Sequence, residues 1–247
     1  MKWRDAVSGL AATLVIWEVL ARLLGRPIVP PASQVLVVFA AHITGDLGWH
    51  TLVSTGRVLA SIGVAVVTAV PCGLGLGQLR SLDRIFAPLV YIVYPIPKIV
   101  FLPVILVLFG SGDGSKVLLV GMILFFQVLV VVRDQAAQLR PELITSVRSM
   151  GAGRRALFRF VYLPACIPAV LTGLRVSVGT AIAVLFIAET YATDSGLGYY
   201  IIVESWGALR YTQMYAGVLA MGLLGLALYF GVDGLDRRLC PWREGAR

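Results

Sequence analysis

Three cysteines, Cys72, Cys166 and Cys240, and two histidines, His42 and His50, make up the soft ligands of this chain. They are far apart and odd in number, so they supply neither a disulfide framework nor a zinc-ligand spacing. The remaining groups of chemical interest are ionisable residues set in apolar sequence: Glu18, Lys98 and Glu189. Such residues are costly inside a membrane and usually face a bundle interior or a cavity. They fall in separate apolar segments, without paired carboxylates, a nucleophile beside a base, or a metal-ligand set. No GxxxxGK[ST] phosphate loop is present either. Bond-making chemistry is poorly provided for by these groups.

The elements that must position them are membrane helices. The 247 residues are 58% hydrophobic and 14% charged, with a mean hydropathy of +0.87; soluble domains carry ~25% charged residues. At ~20 residues per span, six spans take about half the chain, which excludes a large soluble catalytic domain. Ala6 to Leu24, behind the basic start Met1-Lys2-Trp3-Arg4, reads as an uncleaved first span. Val58 to Leu79 is a second, with the close-packing glycines Gly63, Gly73, Gly75 and Gly77. Further spans are expected over Ile85 to Phe109, Val117 to Val132, Cys166 to Tyr191 and Met214 to Leu235. Between the first two, Ser33 is placed to cap an interfacial helix over Gln34 to His50, with Val35, Leu36, Val38 and Phe39 as its apolar face.

Charge placement gives the orientation. Of the 21 Lys and Arg, 14 lie in 1–5, 79–84, 133–164 and 236–247, against four in the alternate connectors. By the positive-inside rule both termini and the 133–164 loop are cytoplasmic. The net charge of +8 is thereby explained without nucleic acid.

Two segments depart from plain spans. Ile85 to Phe109 carries Pro88, Pro95, Pro97 and Pro103, and each proline removes a backbone donor and disfavours helix before it. A break is expected at Tyr94-Pro95-Ile96-Pro97. Pro95, Pro97 and Lys98 then either mark tolerated kinks or line a pathway, with Lys98 attracting an anion. Glu189 either holds the Gly196-Leu197-Gly198 turn or acts as a gate, and Glu18 and Arg22 are spaced to pair on a helix surface. His42 and His50 are expected on the outer surface without special chemistry.

The other departure is the basic loop from 133 to 164. Pro141 and Glu142 suit a helix first turn; Leu143, Ile144, Val147 and Met150 then share a side at helical spacing. Gly151 and Gly153 permit a sharp turn into a second short helix, ended by Pro164. A short helix with an exposed apolar face and basic flanks, including Arg148, is a docking surface for another protein; Arg148, Arg154, Arg155 and Arg159 also suit anionic lipid headgroups.

Gly151, nine residues, Val161, one residue, then Leu163-Pro164 is similar to the EAA-xxx-G-x9-I-x-LP signature of inner-membrane permeases of binding-protein-dependent ABC importers. Thr145-Ser146-Val147 stand in place of the EAA triplet, so the usual Glu-Ala contacts are not assigned to them. Tyr94-Pro-Ile-Pro-Lys98, Leu102-Pro103, Phe109-Gly110, Arg148-Ser-Met-Gly151, Gly173-Leu174-Arg175 and Glu189 followed by Gly196-Leu197-Gly198 resemble the nitrate/sulfonate/taurine/bicarbonate branch. The resemblance implies an all-α polytopic membrane protein with the type I importer transmembrane fold, about six helices. Residues 1–50 would hold the first span and outer segment, and 51–238 the transporter domain with its coupling loop at 140–164. It implies a permease with no cofactor of its own, working as a homodimer in the inner membrane with two ATPase subunits that bind ATP and Mg and an external solute-binding protein. The ATPase-coupling residues would be Glu142, Leu143, Ile144, Val147, Arg148, Met150, Gly151, Leu163 and Pro164, and the pathway residues Pro95, Pro97, Lys98 and Glu189. Small anions lead as substrates; a small heterocycle such as a vitamin precursor is the alternative, and a membrane-embedded lipid enzyme a distant one.

Overall fold

The computed structural model describes residues 3–241, and these form helices without strands. In chain order they are α1 (Trp3–Leu24), α2 (Ala32–His42), α3 (Asp46–Gln78), α4 (Arg80–Val93), a 3-10 turn (Lys98–Phe101), α5 (Leu102–Phe109), α6 (Asp113–Ala137), α7 (Pro141–Ser149), α8 (Arg154–Leu157), a π-turn (Phe158–Tyr162), α9 (Leu163–Ala188), α10 (Leu197–Tyr199), a π-segment (Tyr200–Trp206) and α11 (Tyr211–Leu239). Four stretches are long and apolar enough to cross a bilayer: Asp46–Gln78, Asp113–Ala137, Arg155–Ala188 and Tyr211–Leu239. The bent pair Arg80–Val93 and Lys98–Phe109 makes a fifth. At ~1.5 Å per residue, the 22 residues of α1 also reach across the hydrocarbon, so about six helices are available. Met1, Lys2 and 242–247, which carry part of the basic count used for orientation, lie outside the described residues.

Contacts divide the chain into two compact units, 1–56 with 186–224, and 57–185 with 225–247. In the first, the α1–α2 connection is held by side chains of α1. Trp17 Nε1 donates to the Pro30 carbonyl at 3.1 Å, and Glu18 accepts from the Ser33 N–H at 2.9 Å and from the Ser33 hydroxyl at 3.0 Å. Ser33 therefore does not cap α2; Pro31 occupies the N-cap, and the Glu18 carboxylate satisfies a first-turn donor in its place. Glu18 also pairs with Arg22 at 2.6 Å, at the expected i, i+4 spacing. α2 stops at His42, well short of His50, and buries Val35 with Ala32, while Leu36 stays exposed.

α3 starts twelve residues before the expected Val58. Its polar first turns are tolerated because Thr51 and Thr55 donate back to the carbonyls of Leu47 and Thr51, each at 2.7 Å.

The second unit is organised where α3 meets α6. The core there includes Ala69, Leu74, Val128, Val132, Cys166 and Leu171. Of the α3 glycines, two permit this approach. A Cβ on Gly73 would lie 2.8 Å from Val132 Cβ, and one on Gly77 2.5 Å from the Arg133 carbonyl oxygen and 2.6 Å from Ala136 Cβ. Gly63 and Gly75 face open space. Charged residues here pair: Arg133 with Asp83 at 2.5 Å, Arg57 with Asp113 at 2.5 Å, and Arg175 with both Asp233 and Asp236 at 3.0 Å. Pro164 does not end a second short helix as expected. Helix continues from Arg155 to Ala188, because the π-turn at 158–162 widens the helix ahead of a proline that lacks the N–H for an ordinary i→i−4 bond.

Gly77→Val should destabilise the purified protein by about 1–3 kcal/mol or more, the cost of overpacking a closed contact. Gly63→Ala should leave stability unchanged or slightly raised, since it adds a better helix former in open space. Thermal unfolding in one detergent compares the two directly; equal losses would show that the α3–α6 approach is not glycine-dependent.

Candidate functional site

Three places carry the residues singled out above. The first is the basic loop. Pro141 opens α7, Glu142 sits in its first turn and Arg148 in its last, matching the helix dipole at both ends. Gly151 follows with φ of +83°, and its N–H closes on the Arg148 carbonyl at 2.9 Å. A side chain in that left-handed conformation is penalised by ~1–2 kcal/mol. No residue of α7 is buried; Leu143 is 45% and Met150 76% exposed. The apolar face expected to be single is divided between two depressions. Ile144 and Arg148 face one of about 500 Å³ shared with Leu74, Gln78 and Phe158. Leu143 and Val147 face another of about 370 Å³ with Phe160, Val161 and Pro164. Leu163 begins α9, one residue before Pro164.

The second place is the helix break. α4 ends at Val93 and helix resumes at Lys98, with an 82° bend across Tyr94-Pro95-Ile96-Pro97. In an unbroken helix the Val93 carbonyl would accept the N–H of residue 97, which proline lacks. The Ile96 N–H closes on the Val93 carbonyl instead at 3.2 Å, and the Lys98 ammonium adds a second donor there at 2.8 Å and lies 2.5 Å from the Tyr94 carbonyl oxygen. It also lies over the Phe126 ring at 4.7 Å. Lys98 is only 7% exposed, yet among the described residues no carboxylate pairs with it. A cavity of about 320 Å³ opens beside it, lined by Pro95, Pro97, Gln127 and Thr180 among others.

Glu189 marks the third place, in the other unit. It is fully buried and accepts from the Ser54 hydroxyl at 2.8 Å and from the Gly198 N–H at 3.0 Å. Ser54 Oγ in turn accepts the Leu197 N–H at 2.8 Å. His50, expected on the surface, is 7% exposed; its Nδ1 accepts the Gly196 N–H at 3.0 Å and its Nε2 faces Glu204 at 3.2 Å. Because Nδ1 accepts, the proton of a neutral ring sits on Nε2 toward that carboxylate. Three successive backbone donors, at Gly196, Leu197 and Gly198, are thus held by side chains from α3 and the end of α9. Gly196 is at φ +106°, and burial, reinforced by Glu204 and Asp46, pushes the nearby Tyr200 phenol up. Sequence reasoning found Glu189 and missed Ser54 and His50, since nothing in their spacing links them to a turn more than 140 positions away.

Removing either partner of the Ser54–Glu189 pair should leave a buried donor or acceptor unsatisfied, at ~1–3 kcal/mol. Ser54→Ala, Glu189→Gln and the double variant, compared by thermal unfolding in detergent, should lose less together than the sum of the two single losses. Strict additivity would show that the two side chains do not act as one unit.

Residues 61–243 match the family described as the binding-protein-dependent transport system inner membrane component. The chain is 30% identical to the taurine transport system permease protein TauC of Escherichia coli, covering 98% of this chain and 94% of that one. It is 28% identical to the formylaminopyrimidine transport permease protein ThiX of Halalkalibacterium halodurans, covering 94% and 92%. Among solved structures, a chain of the inward-facing MetNI methionine ABC transporter superposes with a TM-score of 0.64 at 20% identity, over 78% of this chain and 96% of that one. The chain belongs to the binding-protein-dependent transport system inner membrane component family: it is a multi-pass inner-membrane permease subunit of an ABC importer.

Proposed function

We propose that two copies of this chain form the translocation path of an importer for a small anion. Two separate ATPase subunits, holding ATP and Mg, dock on the 140–164 loops, and an external solute-binding protein delivers the substrate. Both termini and the loop face the cytoplasm. The observation that carries the coupling assignment is α7: a nine-residue helix with no buried residue, set off by a glycine at φ +83°. In water an isolated helix of that length is marginal, so an apolar, dipole-matched helix left unpacked is suited to a partner's cleft. Glu142, Leu143, Ile144, Val147, Arg148 and Met150 are its contact surface, and Gly151, Leu163 and Pro164 set its direction. Pro95, Pro97 and Lys98 line the path, and Glu189 holds the outer turn through which the path opens.

Anions are favoured because the buried Lys98 has neutral partners, and TauC, 30% identical, is named for transport of taurine, which carries a sulfonate group. The likeness to ThiX gives a small heterocycle as the second substrate class. Uptake into proteoliposomes holding the complete transporter and its binding protein separates them: ATP-dependent accumulation of a labelled alkanesulfonate or nitrate supports the anion reading, and accumulation of a pyrimidine alone supports the other.

Gly151→Val should insert and pair as the parent chain does, since the membrane core does not depend on this turn. It should nevertheless lose most ATPase association or solute-stimulated ATP hydrolysis, because the strained turn re-aims α7. Full transport by a normally expressed Gly151→Val protein would remove the coupling role from this loop.

A further inference from the structure

The cavity beside the helix break contains a combination that neither the break nor its repair explains. Lys98 is buried and carries a charge, yet its contacts are carbonyl oxygens and aromatic rings, which attract the charge without neutralising it. Buried charges are normally paired. Two of its three N–H bonds are taken by Val93 and Tyr94. Across the same cavity, from α6, Gln127 Oε1 is buried and has no hydrogen-bond partner. An amide end can turn to present its oxygen or its NH2, so Gln127 offers a vacant polar contact to whatever enters. Thr180, on α9, adds a hydroxyl that lines the space and is exposed.

The volume, about 320 Å³, is at the small end of ligand cavities. A cation, an amide and a hydroxyl around so small a space favour a ligand with one negative charge and several acceptor oxygens, and repel a cation. One uncompensated charge matches a monoanion without retaining it, since conduction requires contacts weak enough to release the solute.

We infer that Lys98, Gln127 and Thr180 form a subsite for a small oxyanionic monoanion, of the sulfonate or nitrate kind, in the translocation path at the helix break. The inference rests on the importer reading above and adds to it the residues that select by charge. Gln127 and Thr180 are specificity residues in this scheme, and Lys98 both closes the broken helix and sets the sign of the field.

The test measures charge selectivity at the cavity without needing the physiological solute. Thr180→Cys is introduced in a background with Cys72, Cys166 and Cys240 replaced by alanine, in membranes containing the complete transporter. Reaction rates of the introduced thiol with sulfonatoethyl and trimethylammonioethyl methanethiosulfonate are each normalised to the rate with free 2-mercaptoethanol. The normalised preference should favour the sulfonate by about tenfold or more, as expected for a unit charge at short range in a poorly screened site. Lys98→Met should abolish that preference. Gln127→Glu, which leaves the bonds of Lys98 to Val93 and Tyr94 in place while adding a compensating carboxylate, should do the same. No labelling by either reagent, equal normalised rates, or a preference that survives both substitutions would overturn the inference. ATP-driven uptake of a labelled alkanesulfonate or nitrate by the same preparation, with its binding protein present, reports separately on the importer reading: uptake without charge preference sinks the subsite alone, and preference without uptake sinks the anion-importer reading while leaving an anion-selective cavity.

Discussion

Inside a bilayer no water is available to complete a broken helix, so every interruption must be repaired by the protein itself. That constraint applies at the helix break, and the same kind of repair recurs where the chain turns outside the long apolar helices. At the Pro97 break the Lys98 ammonium joins the Ile96 N–H on the Val93 carbonyl and also donates to that of Tyr94. Glu18 closes the start of α2 behind Pro31. Ser54, Glu189 and His50 take the three N–H groups of the Gly196 turn. Each ionisable residue that sequence alone marked as chemically suggestive turns out to hold backbone.

The repairs also limit what else these residues can do. The Glu189 carboxylate accepts from Gly198 and Ser54, so a gating motion there would have to break a buried network whose members depend on one another. Lys98 differs, because its partners are neutral and its charge survives the repair. A fixed cation beside a cavity acts at a distance on whatever enters, and its effect does not require its hydrogen bonds to be released. Under the proposed role, structural and functional parts therefore coexist at the break, whereas at the Gly196 turn the structural role takes up the groups on hand.

Much of the architecture was legible in the sequence because membrane physics writes it in composition. The prolines located the break between Tyr94 and Pro97, and the glycines and basic residues located the turn in the 140–164 loop. The i, i+4 pair of Glu18 and Arg22 also follows from spacing alone. What was not legible depended on long-range partners or on helix continuity. Polar Thr51 and Thr55 disguised the start of α3, since hydroxyls that bond back to their own helix look like loop residues in a hydropathy reading. Pro164 looked like a terminator because the π-turn that accommodates it has no sequence signal. Gly73 and Gly77 could not be told from Gly63 and Gly75, because the difference lies in α6, not in α3.

The continuity past Pro164 bears on how the loop could work. Had the second helix ended there, a push on α7 would have been absorbed at a flexible joint. Instead, helix runs from Arg155 to Ala188, so the segment bearing the loop and the segment that contributes Thr180 to the cavity belong to one rod. At the π-turn of 158–162 the hydrogen-bond register is wide, and such turns recur at functional sites. In the proposed coupling, a force entering through α7 would cross Gly151 and the π-turn before reaching a helix that carries Pro168 on the way to Thr180. The proposed coupling makes use of this asymmetry: α7 is unpacked enough to be gripped, and what it is joined to is continuous enough to move with it.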